Sequence, residues 1–200
     1  CRRNIFHNAT FSGNLSCALG VNEPALNIIV DNLTIDFAGY ALIGNGTGIG
    51  LNISSRVGVT IKNANILNFS TAIYINPSTN ITITNSSVGL ALFGTNYSLI
   101  TNNRIINNSL GINLSSSYNN SIYNNYFGNA NNSVDNGNNY WNTTSSCSAS
   151  TTNIIGGNCT GGNYWSNYNG WDIDFNGIGS TLVPYNNSNS ISGNAFGGDY

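Results

Sequence analysis

Four stretches of the chain repeat one pattern: Ile61–Ile66 (IKNANI), Ile83–Val88 (ITNSSV), Ile100–Ile105 (ITNNRI) and Ile122–Phe127 (IYNNYF). Each reads apolar-x-Asn-x-x-apolar, and the steps between their first residues are 22, 17 and 22 residues. An imperfect earlier copy begins at Ile35, 26 residues before Ile61. Recurrence at such a period is typical of solenoids, in which one short structural unit stacks on the next.

A second apolar series runs in step with the first, and each of its members reads apolar-x-apolar, the period of a strand with one buried face. The pairs are Ile49/Leu51, Ile73/Ile75, Leu90/Leu92 and Ile112/Leu114. Two short strands per repeat cannot bury themselves, but stacked coils about 4.8 Å apart bury like side chains on like. The sequence therefore predicts an all-β, right-handed parallel β-helix of about five coils.

The third position of each repeat is asparagine: Asn63, Asn85, Asn102 and Asn124. This position follows a strand, where an internal asparagine ladder would satisfy turn backbone groups and link the coils. Asparagine as an ordinary turn former is the alternative. If the ladder is internal, we expect Asn85 to be buried and unglycosylated although it lies in an acceptor sequence.

The composition is polar but almost uncharged, with 41 Asn, 24 Ser and 16 Thr against 5 basic and 7 acidic residues. Regularly spaced apolar residues argue against disorder. The scattered basic residues form no patch for nucleic acid, and no apolar run has the length of a membrane span. A chain that begins at Cys1 without methionine suggests a precursor whose targeting segment has been removed.

The cysteines lie as one pair near each end, which favours the disulfides Cys1–Cys17 and Cys147–Cys159. Three pairings are formally possible. Four free thiols, or a lipidated Cys1, are the alternatives.

N-glycosylation acceptor sequences occur 16 times, whereas composition alone gives about eight. The excess predicts used acceptors and an extracellular or cell-surface location. Incidental matches in an Asn-rich solenoid are the alternative. Apart from Asn85, the acceptors are Asn8, Asn14, Asn32, Asn45, Asn52, Asn68, Asn80, Asn96, Asn107, Asn113, Asn119, Asn131, Asn142, Asn158 and Asn186.

Phrases such as Val59–Asn63 (VTIKN) and Gly111–Leu114 (GINL) resemble the NosD-like right-handed β-helix repeat (PbH1-type) proteins. The late segments Gly162–Tyr168 (GNYWSNY) and Asp172–Gly179 (DIDFNGIG), followed by Pro184, resemble the closing segment of many archaeal members. The resemblance covers nearly the whole chain. It implies a surface protein, and the family name comes from a periplasmic accessory protein for copper enzyme maturation. The chain has no Met and one histidine, His7, so it is poor in copper ligands.

Two parts of one domain are expected, a β-solenoid with an N-terminal cap segment over residues 1–145 and a C-terminal capping segment over 146–200. Aromatic residues concentrate late in the chain. They cover the end of the solenoid or, if exposed, form a platform for sugars, and the resemblance favours the cap. These residues are Tyr140, Trp141, Tyr164, Trp165, Tyr168, Trp171 and Tyr185.

Polysaccharide enzymes with this fold need clustered carboxylates. The acidic residues are Glu23, Asp31, Asp36, Asp135, Asp172, Asp174 and Asp199. Asp31 and Asp36 should not share a face cleanly, and Lys62 and Arg104 lack an obvious carboxylate cluster at matched positions, so we expect no enzyme.

The segment Asp172-x-Asp174-x-Asn176-Gly177-Ile178 matches the first half of a calcium loop. The closing glutamate is missing, because position 12 is Val183, although a distant acid such as Asp199 would complete the ligand shell. A turn held by its own hydrogen bonds is the alternative. No cofactor is required by the sequence, and calcium and covalent N-linked glycans are the candidates.

These observations predict an extracellular, N-glycosylated structural protein, a subunit of an archaeal cell-surface filament or surface layer. Solenoid ends are natural polymerisation faces, so we expect a homopolymer, with the segment Arg2–Ser16 as a candidate for reaching a neighbour. One alternative is a secreted carbohydrate-binding or polysaccharide-degrading β-helix, with a surface polysaccharide as partner. A second alternative is a NosD-like periplasmic accessory protein.

Overall fold

The chain folds as a three-sided parallel β-solenoid of about six turns, which confirms the predicted fold class. This computed structural model describes residues 1–148, 152–183, 185, 191–193 and 199. Within these ranges the secondary structure is all β, without a helix. Accordingly, no helix in the described part of the chain could cross a membrane.

Each full turn contributes one strand to the first side and one to the second side, and most turns also contribute one to the third side. The first side contains β1 (Arg3–Ile5), β4 (Pro24–Ile28), β7 (Ile49–Ser54), β10 (Thr71–Asn76), β12 (Leu90–Phe93), β15 (Leu110–Ser115), β18 (Asn131–Asp135) and β23 (Ile191–Gly193). The second side contains β2 (Ala9–Thr10), β5 (Thr34–Asp36), β8 (Thr60–Lys62), β11 (Thr82–Thr84), β13 (Leu99–Thr101), β16 (Tyr118–Tyr123) and β19 (Asn138–Tyr140).

The third side consists of two short parallel sheets. They are β3 (Leu15–Ser16), β6 (Ala41–Ile43) and β9 (Asn65–Leu67), and then β14 (Arg104–Ile106), β17 (Tyr126–Gly128) and β22 (Tyr164–Trp165). Ser87 bridges the two sheets, since it pairs with both Asn65 and Arg104. An antiparallel hairpin of β20 (Ser146–Cys147) and β21 (Cys159–Thr160) lies outside the three sides.

Stacking on the second side follows the predicted register. Ile35, Ile61, Ile83, Ile100 and Ile122 lie directly over one another from β5 to β16. Each is at most 1% exposed, and full burial of such a side chain contributes about 2 kcal/mol. This column of side chains forms the centre of the hydrophobic core.

On the first side, one predicted alignment was wrong. Ile73 and Ile75 stack on Leu51 and Ile53, not on Ile49 and Leu51. A shift of two residues keeps every side chain on the same face of a strand, so apolar alternation alone could not exclude it.

The prediction of two strands per turn was also wrong, because the second apolar residue of each repeat begins a third side. Ile66, Ile105 and Phe127 lie in β9, β14 and β17. The asparagine before this strand has a left-handed backbone, with φ of 54° at Asn63 and 58° at Asn102. Asparagine tolerates this conformation, so a single residue turns the chain and the next strand starts at once.

Both predicted disulfides are confirmed. Cys1–Cys17 ties the ends of the first turn together, and Cys147–Cys159 closes the hairpin of β20 and β21. The segment Arg2–Ser16 forms the first turn, since β1, β2 and β3 pair with β4, β5 and β6.

Candidate functional site: the two ends of the solenoid

The N-terminal end of the solenoid is open. In the described part of the chain, β1, β2 and β3 each have a partner on one edge alone. The inward-facing Ile5, Phe11 and Leu15 pack on the second turn but stay half-buried, unlike their counterparts further along. We call this surface the open end. Free strand edges beside apolar side chains favour pairing with another surface.

The C-terminal end is closed. Trp141 and Ile191 are fully buried, and Trp165 and Tyr185 are nearly so. Trp165 stacks on Phe127 at 4.5 Å and on Tyr185 at 4.9 Å between ring centroids. An aromatic cap therefore covers this end of the core, as the sequence predicted.

Two of the predicted cap residues do not belong to it. Tyr140 and Trp171 are 54% and 76% exposed. Tyr140 ends β19 with its side chain on the outer face, because side chains alternate along a strand. Trp171 lies in the loop that joins the cap residues Trp165 and Tyr185.

An internal asparagine ladder runs along the C-terminal half, one residue after the predicted positions. The amide Nδ2 of Asn103 donates to Oδ1 of Asn125 at 3.0 Å, and Asn125 donates likewise to Asn163. Each Nδ2 also donates to a backbone carbonyl of the preceding turn. Both Asn103 and Asn125 are fully buried. The ladder therefore satisfies buried corner groups and fixes the register between turns.

The expected burial of Asn85 was wrong, because Asn85 is exposed. Its Nδ2 donates to Asn63 on the outer surface, as Asn124 donates to Asn102, both at 2.6 Å. The left-handed residue turns the chain and directs its side chain outward, and the following residue enters the core. A signal was present in the sequence, since Asn103 and Asn125 directly follow two of the predicted positions.

A parallel ladder follows the corner between the first and second sides. Asn120 donates to Asn139, and Asn139 donates to the carboxylate of Asp135, each at 2.8 Å. Asp135 is fully buried and also accepts the indole N–H of Trp141 at 2.8 Å. An ionised carboxylate only accepts hydrogen bonds, so it suits the end of a ladder whose members all donate in one direction.

The ladder through Asn163 ends in the same way. Oδ2 of Asp199 accepts the backbone N–H and the Nδ2 of Asn163, and also the indole N–H of Trp165 at 2.7 Å. Asp199 is 2% exposed. A buried aspartate beside a buried tryptophan thus closes both ladders at the C-terminal end, which the sequence analysis missed.

In the predicted calcium loop, the oxygens face the loop's own amides. The carboxylate of Asp172 accepts the backbone N–H groups of Asn176 and Gly177, and Oδ1 of Asn176 accepts that of Ile178. Asp174 accepts the Nδ2 of Asn176 at 2.7 Å. Asp199 belongs to the ladder described above. This arrangement supports the turn interpretation, and calcium binding remains a prediction.

The predicted glycosylation acceptors fall into two groups in the described part of the chain, and Asn186 lies outside it. The exposed acceptors are Asn8, Asn14, Asn32, Asn45, Asn68, Asn80, Asn107, Asn131 and Asn158. The half-buried acceptors are Asn52, Asn96, Asn113, Asn119 and Asn142. The Nδ2 of Asn52 donates to Asn27 at 2.8 Å on the outer face of the first side. All of the residues in both groups share the acceptor sequence, so side-chain exposure is the property that distinguishes one group of acceptors from the other.

The remaining acids of the N-terminal half lie in ion pairs. Glu23 contacts Arg2, Asp31 contacts Arg56 at 3.3 Å, and Asp36 contacts Lys62 at 3.2 Å. The backbone N–H of Gly20, with Arg2, lowers the pKa of Glu23. Hydrogen bonds from Asn63 and Ala38, with Lys62, lower the pKa of Asp36. The three ion pairs lie at separate places on the surface.

A groove follows the corner between the second and third sides. It is lined by Asp36, Asn63, Asn85, Asn102, Arg104 and Ile154, among others. The guanidinium of Arg104 lies 4.5 Å from the ring centroid of Tyr126, and Tyr126 stacks on Tyr164 at 4.4 Å. Burial, together with the neighbouring Tyr126, raises the pKa of Tyr164. The groove is polar and carries little net charge.

Comparison with known proteins gives one family. The family model NosD, described as periplasmic copper-binding protein (NosD), matches residues 1–170. No curated protein and no solved structure matches the chain.

Proposed function

The chain belongs to the NosD family, and we propose that it is an extracytoplasmic structural protein that assembles with copies of itself. The family is described as periplasmic, which agrees with two disulfides, because such bonds persist outside the reducing cytoplasm. The assembly would be a filament or surface layer on an archaeal cell.

The asymmetry of the two ends carries this proposal. Strands with one free edge lie at both ends of the described solenoid, but the open end leaves Ile5, Phe11 and Leu15 half-buried, whereas the aromatic cap buries the core at the C-terminal end. A contact that joins one end of a rod to a different surface leaves both partners with a free surface, unless rotation about the contact closes a ring. Repetition of such a contact gives a filament.

We propose that Asn-linked glycans cover the outer surface of this assembly. Asn80 and Asn107 lie exposed at corners with φ of 55° and 60°, where a glycan would extend into solvent. Asn52 is half-buried and its Nδ2 is engaged. Glycopeptide mass spectrometry of protein from the native host should find sugar at Asn80 and Asn107 and none at Asn52. Occupied Asn52 with bare Asn80 and Asn107 would contradict this assignment.

Copper binding, the property in the family description, is a second candidate because the match covers residues 1–170. The donor set does not fit a copper centre. All four cysteines lie in disulfides, the chain has no methionine and one histidine, and the described residues contain no cluster of three His, Cys, Asp or Glu. Competition titration with Cu(I) and Cu(II) should give no tight site, and stoichiometric tight binding would support the accessory role instead.

Two further predictions concern ligands. If the Asp172 loop is held by its own hydrogen bonds, a calcium chelator should leave thermal stability unchanged, whereas a lower melting temperature would establish calcium. We also expect no turnover of a polysaccharide panel. Affinity for one of its members would favour the carbohydrate-binding alternative and direct attention to the groove beside Arg104.

Electron microscopy and sedimentation of the purified protein test the assembly itself. We expect ordered polymers whose mean length increases with protein concentration, and the same polymers on native cells. Protein that stays monomeric at every concentration, and is seen on cells as isolated particles, would refute the proposed function.

A further inference from the structure

An apolar ridge projects from the loop between the cap residues Trp165 and Tyr185. Its four side chains, which we call the outer ridge, are Trp171, Ile173, Phe175 and Leu182, exposed by 76%, 67%, 89% and 65%. Single exposed apolar residues are ordinary on a protein surface, but four within twelve residues of one loop are a local concentration. Such a concentration of exposed apolar side chains favours a contact surface.

The outer ridge is held outward by hydrogen bonds within the loop. The backbone N–H of Trp171 donates to Thr181 at 2.8 Å, and the N–H of Ser180 donates to the carbonyl of Trp171 at 2.8 Å. Asp172 fixes the turn below them. A contact surface that is already ordered loses little conformational entropy on binding.

Two ridge residues have a strained backbone. Phe175 and Leu182 have φ of 54° and 55°, a region that bulky side chains rarely adopt. The loop keeps both residues in this conformation although their side chains reach water. Strain that the surrounding hydrogen bonds maintain is a signature of functional positions.

The charges of the chain are separated along the solenoid. All five basic residues lie between Arg2 and Arg104, whereas four of the seven acidic residues follow Arg104. At the N-terminal end, Arg3 is exposed and takes part in none of the three ion pairs of the described residues. In the outer ridge, Asp174 is exposed between Ile173 and Phe175. Arg3 and Asp174 therefore place one exposed charge of opposite sign on each of the two surfaces.

We propose that the outer ridge of one molecule docks on the open end of a second copy. The ridge side chains would cover the half-buried Ile5, Phe11 and Leu15 together with the exposed Phe6, and Asp174 would lie against Arg3. Apolar burial supplies the affinity and the opposite charges select the head-to-tail orientation. This inference rests on the proposed self-assembly and names its two surfaces.

Charge reversal tests the pairing. Arg3→Glu and Asp174→Arg each place like charges at the contact, so each should weaken self-association by about tenfold in sedimentation velocity at low salt. The variant with both changes restores opposite charges and should recover to within about threefold of wild type. Recovery is the decisive result, because a merely misfolded surface would not be rescued by a second change.

Chain termination tests the direction. A Trp171→Ser/Phe175→Ser variant loses the ridge but keeps its open end, so it should bind one end of a wild-type polymer and stop growth there. At about one part in ten it should shorten polymers several-fold. Tyr97→Ser is the matched control, because Tyr97 is 66% exposed at a corner on the flank of the solenoid, and it should leave polymer length unchanged.

The outcomes separate this inference from the proposed function. Polymers of normal length from the ridge variant alone, or a double reversal that remains as weak as the single ones, would place the interface elsewhere and leave self-assembly standing. Wild-type protein without polymers would overturn both. Shortened polymers with the ridge variant and normal polymers with Tyr97→Ser would establish the head-to-tail contact.

Discussion

The two halves of the solenoid fill the same interior corner with opposite chemistry. Between the first and second sides, the N-terminal turns place apolar side chains inward and the C-terminal turns place polar ones. In order along the axis they are Leu33, Val59 and Ile81, then Ser98, Asn120 and Asn139. The backbone path is the same in both halves, since the left-handed corner residues Asn32, Asn80 and Asn119 precede members of both groups.

This difference separates two ways of holding a stack together. Apolar corners contribute burial free energy but have no direction, so any apolar neighbour continues them. Amide ladders have a direction, because each Nδ2 donates one hydrogen to a backbone carbonyl and the other to the side chain of the next turn, so the last amide needs an acceptor. The buried carboxylates of Asp135 and Asp199 supply that acceptor. One end is thereby terminated, while the other retains a surface that another molecule could extend.

The largest effect is expected at a ladder terminus. Asp135→Leu leaves the N–H donors of Gly137, Asn139 and Trp141 buried without their acceptor. Each such donor costs about 1–3 kcal/mol, so we expect the free energy of unfolding to fall by about 4 kcal/mol in urea denaturation. Asp135→Asn keeps one acceptor oxygen and should lose about half as much.

Asp31→Asn is the matched control for charge. It removes the same charge from a surface pair with Arg56, in which the Asp31 side chain is 45% exposed, so it should change stability by about 0.5 kcal/mol or less. If the Asp31 and Asp135 variants lost equal amounts of unfolding free energy, net charge rather than termination of the ladder would account for the effect at Asp135.

A smaller effect should distinguish the two kinds of corner. Asn120→Val removes the acceptor of the Ser98 N–H and the donor to the Thr95 carbonyl, at a cost of about 3 kcal/mol. Ile81→Val, two turns away in the same column, should cost about 1 kcal/mol. Replacing Asn120 by a more hydrophobic residue would thus destabilise the protein more than shortening the apolar Ile81 does. Similar losses at both positions in urea denaturation would remove the distinction between the halves.

Most of the fold follows from the sequence because like residues stack on like. The column from Ile35 to Ile122 was predicted in register, since the repeats align without gaps. The third side was missed because a turn of one left-handed asparagine leaves almost no loop to detect. The pair Leu51/Ile53 was missed because a shift of two residues preserves the pattern of alternation.

The ends were harder to predict than the repeats. Asp135 and Asp199 lie 64 positions apart in the sequence, and their common role depends on where each ladder stops in space. The burial of Trp165 and the exposure of Trp171 likewise depend on how the loop folds back, since both residues belong to one aromatic-rich segment. Residues at the ends do not recur from turn to turn, so the repeat pattern of the sequence does not predict their positions.

The smallest effect concerns pH and applies to the N-terminal half. Asp36 accepts hydrogen bonds from Asn63 and Ala38, which lower its pKa from the usual 3.8. A carboxyl group with a lower pKa in the folded state stabilises the fold above its usual pKa, and this contribution is lost as pH falls through the folded value.

Hydrogen exchange should therefore speed up modestly in β5 and β8 as the pH falls below about 4, relative to the intrinsic exchange rate at each pH. Asp36→Asn lacks the titrating group, so its β5 and β8 should be less protected at neutral pH and should lose little more on acidification. If wild type and Asp36→Asn show the same pH dependence, other carboxyl groups control the acid response of this half. The apolar side chains at the corners of these turns do not titrate. The loss of protection at low pH should therefore arise from carboxyl groups on the outer face.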